Sequence, residues 1–244
     1  NGKRNGLWRF YNPNGIITSE NTYVDGDLSG PQKTYYLNGE IQTEYYCDSN
    51  KTNGIYKEYY KNGALKAQSW FINNAQQGRY YNYYKNGKIE STGFLEEGKR
   101  VGTVNYFYSN GNPDMDQVYN DDNILVATKQ YDTKGNLLDS AMLANGNGKY
   151  SQHYENGQLI CISNYAMGSL NDSLTLYYPN GAVMGKWYYK YGKFDGLAKR
   201  WDTKGAIAME KNYKLGDNDG PYRSYVDGRL FYESSYLNDQ QNGI

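Results

Sequence analysis

"EYYKNGALK", from Glu58 to Lys66, returns as "NYYKNGKIE" from Asn82 to Glu90, 24 residues later. In both copies an Asn-Gly pair separates an aromatic run from a run carrying an aliphatic residue. Asn-Gly in that setting is the strongest short signal for a two-residue β-hairpin turn, because both central residues of the turn need positive φ. The hairpin glycine recurs at Gly15, Gly39, Gly63, Gly87, Gly111, Gly135, Gly157, Gly181, Gly205 and Gly228, spaced by 24 five times and then by 22, 24, 24 and 23.

A fixed period decides architecture before any other signal. A second glycine lies nine residues before most of these, at Gly6, Gly30, Gly54, Gly78, Gly102, Gly148 and Gly196. A third class lies four residues earlier still, at Gly2, Gly26, Gly98, Gly192 and Gly216. Each unit reads as two strands and two turns. The expected fold is all-β: about ten tandem β-hairpin units of ~24 residues, forming one elongated, twisted and curved antiparallel sheet across residues 1–244. The opening "NGKRNG" matches the closing turn of a unit and the final "QQNGI" an opening one, as in a piece cut from a longer array.

One irregular unit is expected near residues 112–148. There the spacing shortens to 22, Val126 replaces the opening glycine, and Pro113 takes a place that Ile or Leu fills elsewhere. Proline cannot donate to a ladder, so a kink or loose edge is expected at Pro113.

A two-residue turn fixes which residues face each other. Arg9 then opposes Glu20, Lys33 opposes Glu44 and Lys199 opposes Glu210, three opposite-charge pairs from one assumed register. Alternation sorts the rest onto two faces. One, the buried side, carries Tyr36 opposite Ile41, Tyr60 opposite Leu65, Tyr84 opposite Ile89, Tyr154 opposite Leu159 and Tyr178 opposite Val183, with Tyr23, Phe71, Leu95, Tyr119, Tyr165, Tyr189, Tyr213 and Tyr236 further along. The other carries the charged pairs and an aromatic column: Tyr11, Tyr35, Tyr59, Tyr83, Phe107, Tyr131, His153, Tyr177, Trp201 and Tyr225.

Composition fits a thin structure. Only 38% of the residues are apolar, mean hydropathy is -0.93, and 30 tyrosines replace much of the usual aliphatic core. Tyrosine has an apolar body and a polar tip, so it suits a sheet in which most side chains lie near water. Lys plus Arg equals Asp plus Glu, 26 of each, and no basic run stands out. That argues against nucleic acid and against an anionic membrane surface. No apolar stretch approaches the ~18 residues of a membrane helix and the sequence contains no signal peptide; any targeting segment of an exported parent would lie outside it.

The unit can be written G-x-Y-x-x-Y-Y-x-N-G-x-L-x-x-E-x-x-Y, best seen in "GIYKEYYKNGALKAQSWF" (Gly54 to Phe71) and "GRYYNYYKNGKIESTGFL" (Gly78 to Leu95). It resembles the MORN repeat in its bacterial variant form, as in YwqK-type antitoxins, over essentially the whole chain. The resemblance implies a curved sheet of stacked hairpins that recruits protein partners or, in some members, associates with membranes. The antitoxin members imply a toxin as partner. "QYDTKGNLLDS" (Gln130 to Ser140) and "WDTKGAI" (Trp201 to Ile207) are similar to the YD repeats of toxin-enclosing shells, but the other units lack the Tyr-Asp pair.

Catalytic chemistry finds no support. His153 is the single histidine and stands in the aromatic column, a ring replacing a ring. No His, Cys and carboxylate spacing suits a metal, and glycines fall at hairpins rather than ahead of helices, so neither a metal site nor a phosphate loop is expected and no cofactor follows. Cys47 and Cys161 are five units apart, far beyond the ~7 Å reach of a disulfide. The expected function is a non-enzymatic scaffold that docks a protein partner along the column Tyr11 to Tyr225, since tyrosine is enriched where binding energy concentrates. Rings stacked on one another purely to stiffen the sheet are the structural counterpart. Glycan binding at a cell surface or envelope is the alternative, because aromatic rows stack on sugar rings.

Overall fold

The computed structural model describes residues 2–243, which form strands, turns and no helix. They divide into two compact units, one up to Asn123 and one from Ile124. The first holds β1 (Gly6–Tyr11), β2 (Ile17–Val24), β3 (Asp27–Tyr35), β4 (Ile41–Asp48), β5 (Lys51–Tyr59), β6 (Leu65–Ile72), β7 (Ala75–Tyr83), β8 (Ile89–Glu96), β9 (Lys99–Phe107) and β10 (Pro113–Tyr119), each hydrogen-bonded antiparallel to the next in chain order. The second opens with the hairpin β11 (Leu125–Tyr131) and β12 (Leu137–Met142). It continues with β13 (Gly148–His153), β14 (Leu159–Ala166), β15 (Ser169–Tyr177), β16 (Val183–Lys190), β17 (Lys193–Phe194), β18 (Gly196–Trp201), β19 (Ile207–Lys214), β20 (Asp217–Val226), β21 (Arg229–Leu237) and β22 (Gln240–Gln241).

The tandem hairpins are as the glycine spacing predicts, but the strands form two sheets rather than one. The ladder is interrupted between β12 and β13. There the chain turns tightly, with Gly146 N bonded to Leu143 O and Asn147 N to Ala144 O, and the buried Leu143 donates its amide to Val126 O instead of pairing with β13. Pro113 is not the break. It opens β10 opposite Phe107, the place of Ile41 in its own unit, and a first strand position needs no amide donor.

The turns correct the expected hairpin geometry. At Asn38-Gly39 only the glycine has positive φ, +87°. Gly39 N bonds to Tyr36 O and Tyr36 N to Glu40 O, closing a three-residue loop in which the glycine makes a bulge. The partner of Ile41 is therefore Tyr35, not Tyr36, and likewise Tyr59 faces Leu65, Tyr83 faces Ile89, His153 faces Leu159 and Tyr177 faces Val183. Beyond the bulge the expected register returns, with Arg9 opposite Glu20, Lys33 opposite Glu44 and Lys199 opposite Glu210. Turns with two consecutive positive-φ residues lie instead between units, at Asp25-Gly26, Ser49-Asn50, Asn73-Asn74 and Glu97-Gly98.

A second bulge follows each of those turns. Glu44 faces Lys57, but two residues on, Tyr46 faces Asn53, so the stretch around Gly54 carries two extra residues. An even insertion leaves the alternation of faces intact. The buried strand residues accordingly fall on the side expected to be covered: Tyr23, Gln32, Cys47 and Val104 in the first unit, Tyr150, Cys161, Ser163, Ala198 and Ser234 in the second. Seven buried hydrophobic side chains among the described residues are too few for a conventional core, so repeats hold one another by edges. Tyr45, Tyr56 and Phe71 run ring to ring at 5.4 and 5.6 Å, as do Tyr189, Phe194 and Tyr213 at 4.7 and 4.9 Å. Both cysteines are buried thiols.

Candidate functional site

The face opposite the buried one is organised in three stripes in the first unit. On β3 the residues pointing to it are Tyr35, Lys33 and Pro31; on β5 they are Tyr59, Lys57 and Ile55; on β7, Tyr83, Tyr81 and Arg79. The intervening strands supply Glu44 and Tyr46 from β4, Gln68 and Trp70 from β6, and Thr92 and Phe94 from β8.

The first stripe is the predicted column. Tyr11 is 59% exposed, while Tyr35, Tyr59, Tyr83, Phe107, Tyr131, His153, Tyr177, Trp201 and Tyr225 are half-buried. Members on one continuous ladder, such as Tyr35, Tyr59 and Tyr83, stand two strands apart, about 9.6 Å, which is beyond ring-to-ring contact, so they do not stack on one another. Three are tied down by carboxylates: Tyr35 Oη donates to Glu20 at 2.8 Å, Tyr59 Oη to Glu44 at 2.5 Å and Tyr225 Oη to Glu210 at 2.9 Å. Burial first, and the glutamate second, push the phenols of Tyr35 and Tyr59 up to about 12. His153 is fixed through its backbone, which Gln130 grips with both amide atoms.

The second stripe is a row of alternating charge, Arg9, Glu20, Lys33, Glu44 and Lys57, read directly across five strands. Arg9 Nε lies 2.7 Å from Glu20 and Lys57 Nζ 3.2 Å from Glu44. The Arg9 hydrogen bond is the largest cause holding the Glu20 carboxyl below its ordinary range; for Glu44 it is the Tyr59 hydroxyl. The second unit repeats the device with Lys199, Glu210, Arg223 and Glu233, bridged at 2.8 and 2.7 Å. Such half-exposed pairs contribute little stability each, ~0–1 kcal/mol, but they set a polarity along the face.

The third stripe escaped the sequence reading. Pro31 pairs with Tyr46, Ile55 with Trp70 and Arg79 with Phe94, and these side chains face water: Tyr46 is 51% exposed, Trp70 45% and Phe94 46%. Pro31, Tyr46, Ile55 and Trp70 line a groove of about 400 Å³ whose border is Lys33, Glu44 and Lys57. The signal was present as Tyr46, Trp70 and Phe94 spaced by 24. Contiguous exposed apolar rows of this kind mark interaction surfaces. The described residues include no helix long and apolar enough to cross a membrane, which says nothing about strands, and no cluster of three metal-binding side chains.

Five stretches, residues 4–25, 28–47, 52–73, 76–96 and 146–167, match the family model of the MORN repeat variant. Among solved structures the chain is similar to the Tc holotoxin pore of Photorhabdus luminescens at 11% identity and a TM-score of 0.20, over 95% of this chain and 13% of that one. It is also similar to the TcdB2-TccC3-Cdc42 crystal structure, at 11% identity and a TM-score of 0.19 over 96% and 15% of the two chains. The TcdB2-TccC3-TEV crystal structure matches at 12% and 0.19 over 97% and 13%. The chain thus spans less than a sixth of the length of each of these chains. No curated protein matches it. MORN repeats are a non-catalytic repeat type that serves in protein or membrane interaction, and the tandem hairpins of this chain match the MORN repeat variant in those five stretches.

Proposed function

We propose that the array is a non-enzymatic scaffold that docks a protein partner along the striped face of its first unit. The observation supporting this is the exposed apolar row of Tyr46, Ile55, Trp70 and Phe94 lying beside a charged row in which Arg9 bridges Glu20 and Lys57 bridges Glu44. Binding energy concentrates where aromatic anchors are ringed by polar groups that exclude water. The column members of that unit, Tyr11, Tyr35, Tyr59, Tyr83 and Phe107, form the far border of the same face, supplying position and rigidity as well as contact. An antitoxin-like role, with a toxin as the partner, is the form that the family resemblance suggests, and a place in the cell envelope suits an extended docking surface.

The test is capture from a lysate of the source organism, with the array as bait and mass spectrometry as readout, repeated with Trp70→Ala and with the Tyr59→Ala, Tyr83→Ala pair. One dominant protein lost in both variants is expected. A partner retained by both would remove this face from consideration. Capture of polysaccharide in place of protein, with quenching of tryptophan emission, would favour the glycan alternative.

A further inference from the structure

We propose that the groove at Pro31, Tyr46, Ile55 and Trp70 receives a proline-rich segment in the polyproline II conformation with an acidic residue at every third position. This rests on the docking reading above and names the chemistry of its partner.

The pitch carries the proposal. Tyr46 on β4, Trp70 on β6 and Phe94 on β8 hold the same place in successive repeats, each two strands from the next, and so about 9.6 Å apart. A polyproline II helix has three residues per turn and a rise of ~3.1 Å, so one edge recurs every ~9.3 Å. Laid across the strands, it sets one residue of each turn over each ring, losing register by only about 0.3 Å per repeat. A β-strand presents the same face every ~6.7 Å and an α-helix advances ~5.4 Å per turn, so neither keeps step with the rings. Aromatic-lined grooves take this conformation well because it is preformed and costs little entropy to bind.

Charge selects the second edge. Lys33 and Lys57 are also one repeat apart and border the groove. Glu44 between them is already held by the Tyr59 hydroxyl and the Lys57 ammonium. Among the described residues no carboxylate bridges Lys33. An acidic residue at every third position recurs at the lysine spacing, while the prolines of the adjoining edge meet the rings.

Titration calorimetry of the 244-residue chain against the synthetic peptides (Pro-Pro-Asp)5, (Pro-Pro-Lys)5 and (Gly-Gly-Asp)5 decides the matter. Binding of (Pro-Pro-Asp)5 is expected, with (Pro-Pro-Lys)5 and (Gly-Gly-Asp)5 each at least roughly tenfold weaker. Trp70→Ala, folded by circular dichroism, is expected to weaken (Pro-Pro-Asp)5 by about tenfold or more, and Tyr46→Ala substitutes for it should it unfold. Lys33→Glu is expected to weaken (Pro-Pro-Asp)5 and strengthen (Pro-Pro-Lys)5. No binding of (Pro-Pro-Asp)5, equal binding of the glycine peptide, or indifference to Trp70→Ala and Tyr46→Ala overturns the inference. Should the partner captured from lysate be lost with Trp70→Ala while (Pro-Pro-Asp)5 fails to bind, docking stands and the proline-rich ligand falls. A captured partner that ignores Trp70→Ala sinks the docking reading itself.

Discussion

Tyr60 Oη donates a 2.7 Å hydrogen bond to the backbone carbonyl of Tyr83, 23 residues later and one repeat away. Tyr36 makes the same bond to Tyr59, Tyr84 to Phe107, Tyr154 to Tyr177 and Tyr178 to Trp201. Two tyrosines precede the hairpin loop because they act on different sides of the sheet. The first stands on the striped face, and the second, pointing to the other side, fastens its repeat to the next. Asparagine adds a parallel fastening at the loop, where Asn38 Nδ2 reaches Lys61 O and Asn86 Nδ2 reaches Ser109 O.

Tyr60→Phe keeps the ring and removes only the fastening. The expected loss is about 1 kcal/mol, the net worth of one hydrogen bond, seen as a lower urea midpoint with an unchanged slope. Tyr84→Phe acts on the next interface, so the double variant is expected to lose about twice as much. No effect in either would show that stacked rings alone hold the repeats.

Gln130 supplies a fastening in one repeat that lacks the second tyrosine. Asp132 fills the position of the second tyrosine in that repeat, and the buried Gln130 side chain instead donates to His153 O at 2.8 Å and accepts from His153 N at 2.7 Å. Gln130→Ala strands two backbone groups and is expected to cost roughly 2–4 kcal/mol, more than any single Tyr→Phe change. Gln130→Glu loses the donor and buries a charge, so it is expected to be no better. Chemical denaturation of both variants beside Tyr60→Phe gives the ranking.

The glycine spacing made the hairpins legible, and the charge pairs made the mid-strand register legible, because both depend on residues that repeat at fixed places. Turn types were not legible in the same way. Asn-Gly serves both a two-residue turn and a three-residue loop with a glycine bulge, and only the negative φ of Asn38 separates them. The fastening tyrosines could be counted but not assigned, since a hydroxyl reaching the next repeat's carbonyl leaves no mark on periodicity. The exposed apolar row was hidden for a different reason. Pro31 opposite Tyr46 and Ile55 opposite Trp70 keep the register of the charge pairs, but periodicity does not tell whether a large side chain on that face is covered or left in water.

Gly146 cannot accept a side chain. Its φ is +75°, and a Cβ would lie 2.5 Å from both Gly168 N and Ile124 Cγ2, at the turn where the ladder of the second unit is interrupted. Gly87 has a similar φ of +81° with nothing near its missing Cβ. Gly87→Ala is therefore expected to cost only the left-handed conformation, ~1–2 kcal/mol, and Gly146→Ala to add a steric clash of about 1–3 kcal/mol more. Thermal melts of the two variants side by side separate conformational strain from crowding; equal losses would mean that the turn relaxes freely.

The Tyr59 and Glu44 pair sets opposite limits on pH. Burial first and the Glu44 acceptor second hold the Tyr59 phenol at about 12, above the ordinary 10.0, so its contribution is whole below pH 10 and is lost as pH rises through about 12. The Glu44 carboxyl, held below 4.5 mainly by that same hydroxyl, contributes above pH 4.5 and loses its contribution as pH falls through its folded value. Glu44→Gln removes the negative charge but keeps the ring buried. Tyr59 is then expected to ionise at lower pH than in the parent chain, while Tyr35, which relies on Glu20, is unchanged. Carbon-13 NMR of labelled tyrosine follows the two phenols separately between pH 9 and 12. A Tyr59 midpoint that does not move would assign its elevation to burial alone and reduce Glu44 to a partner of Lys57.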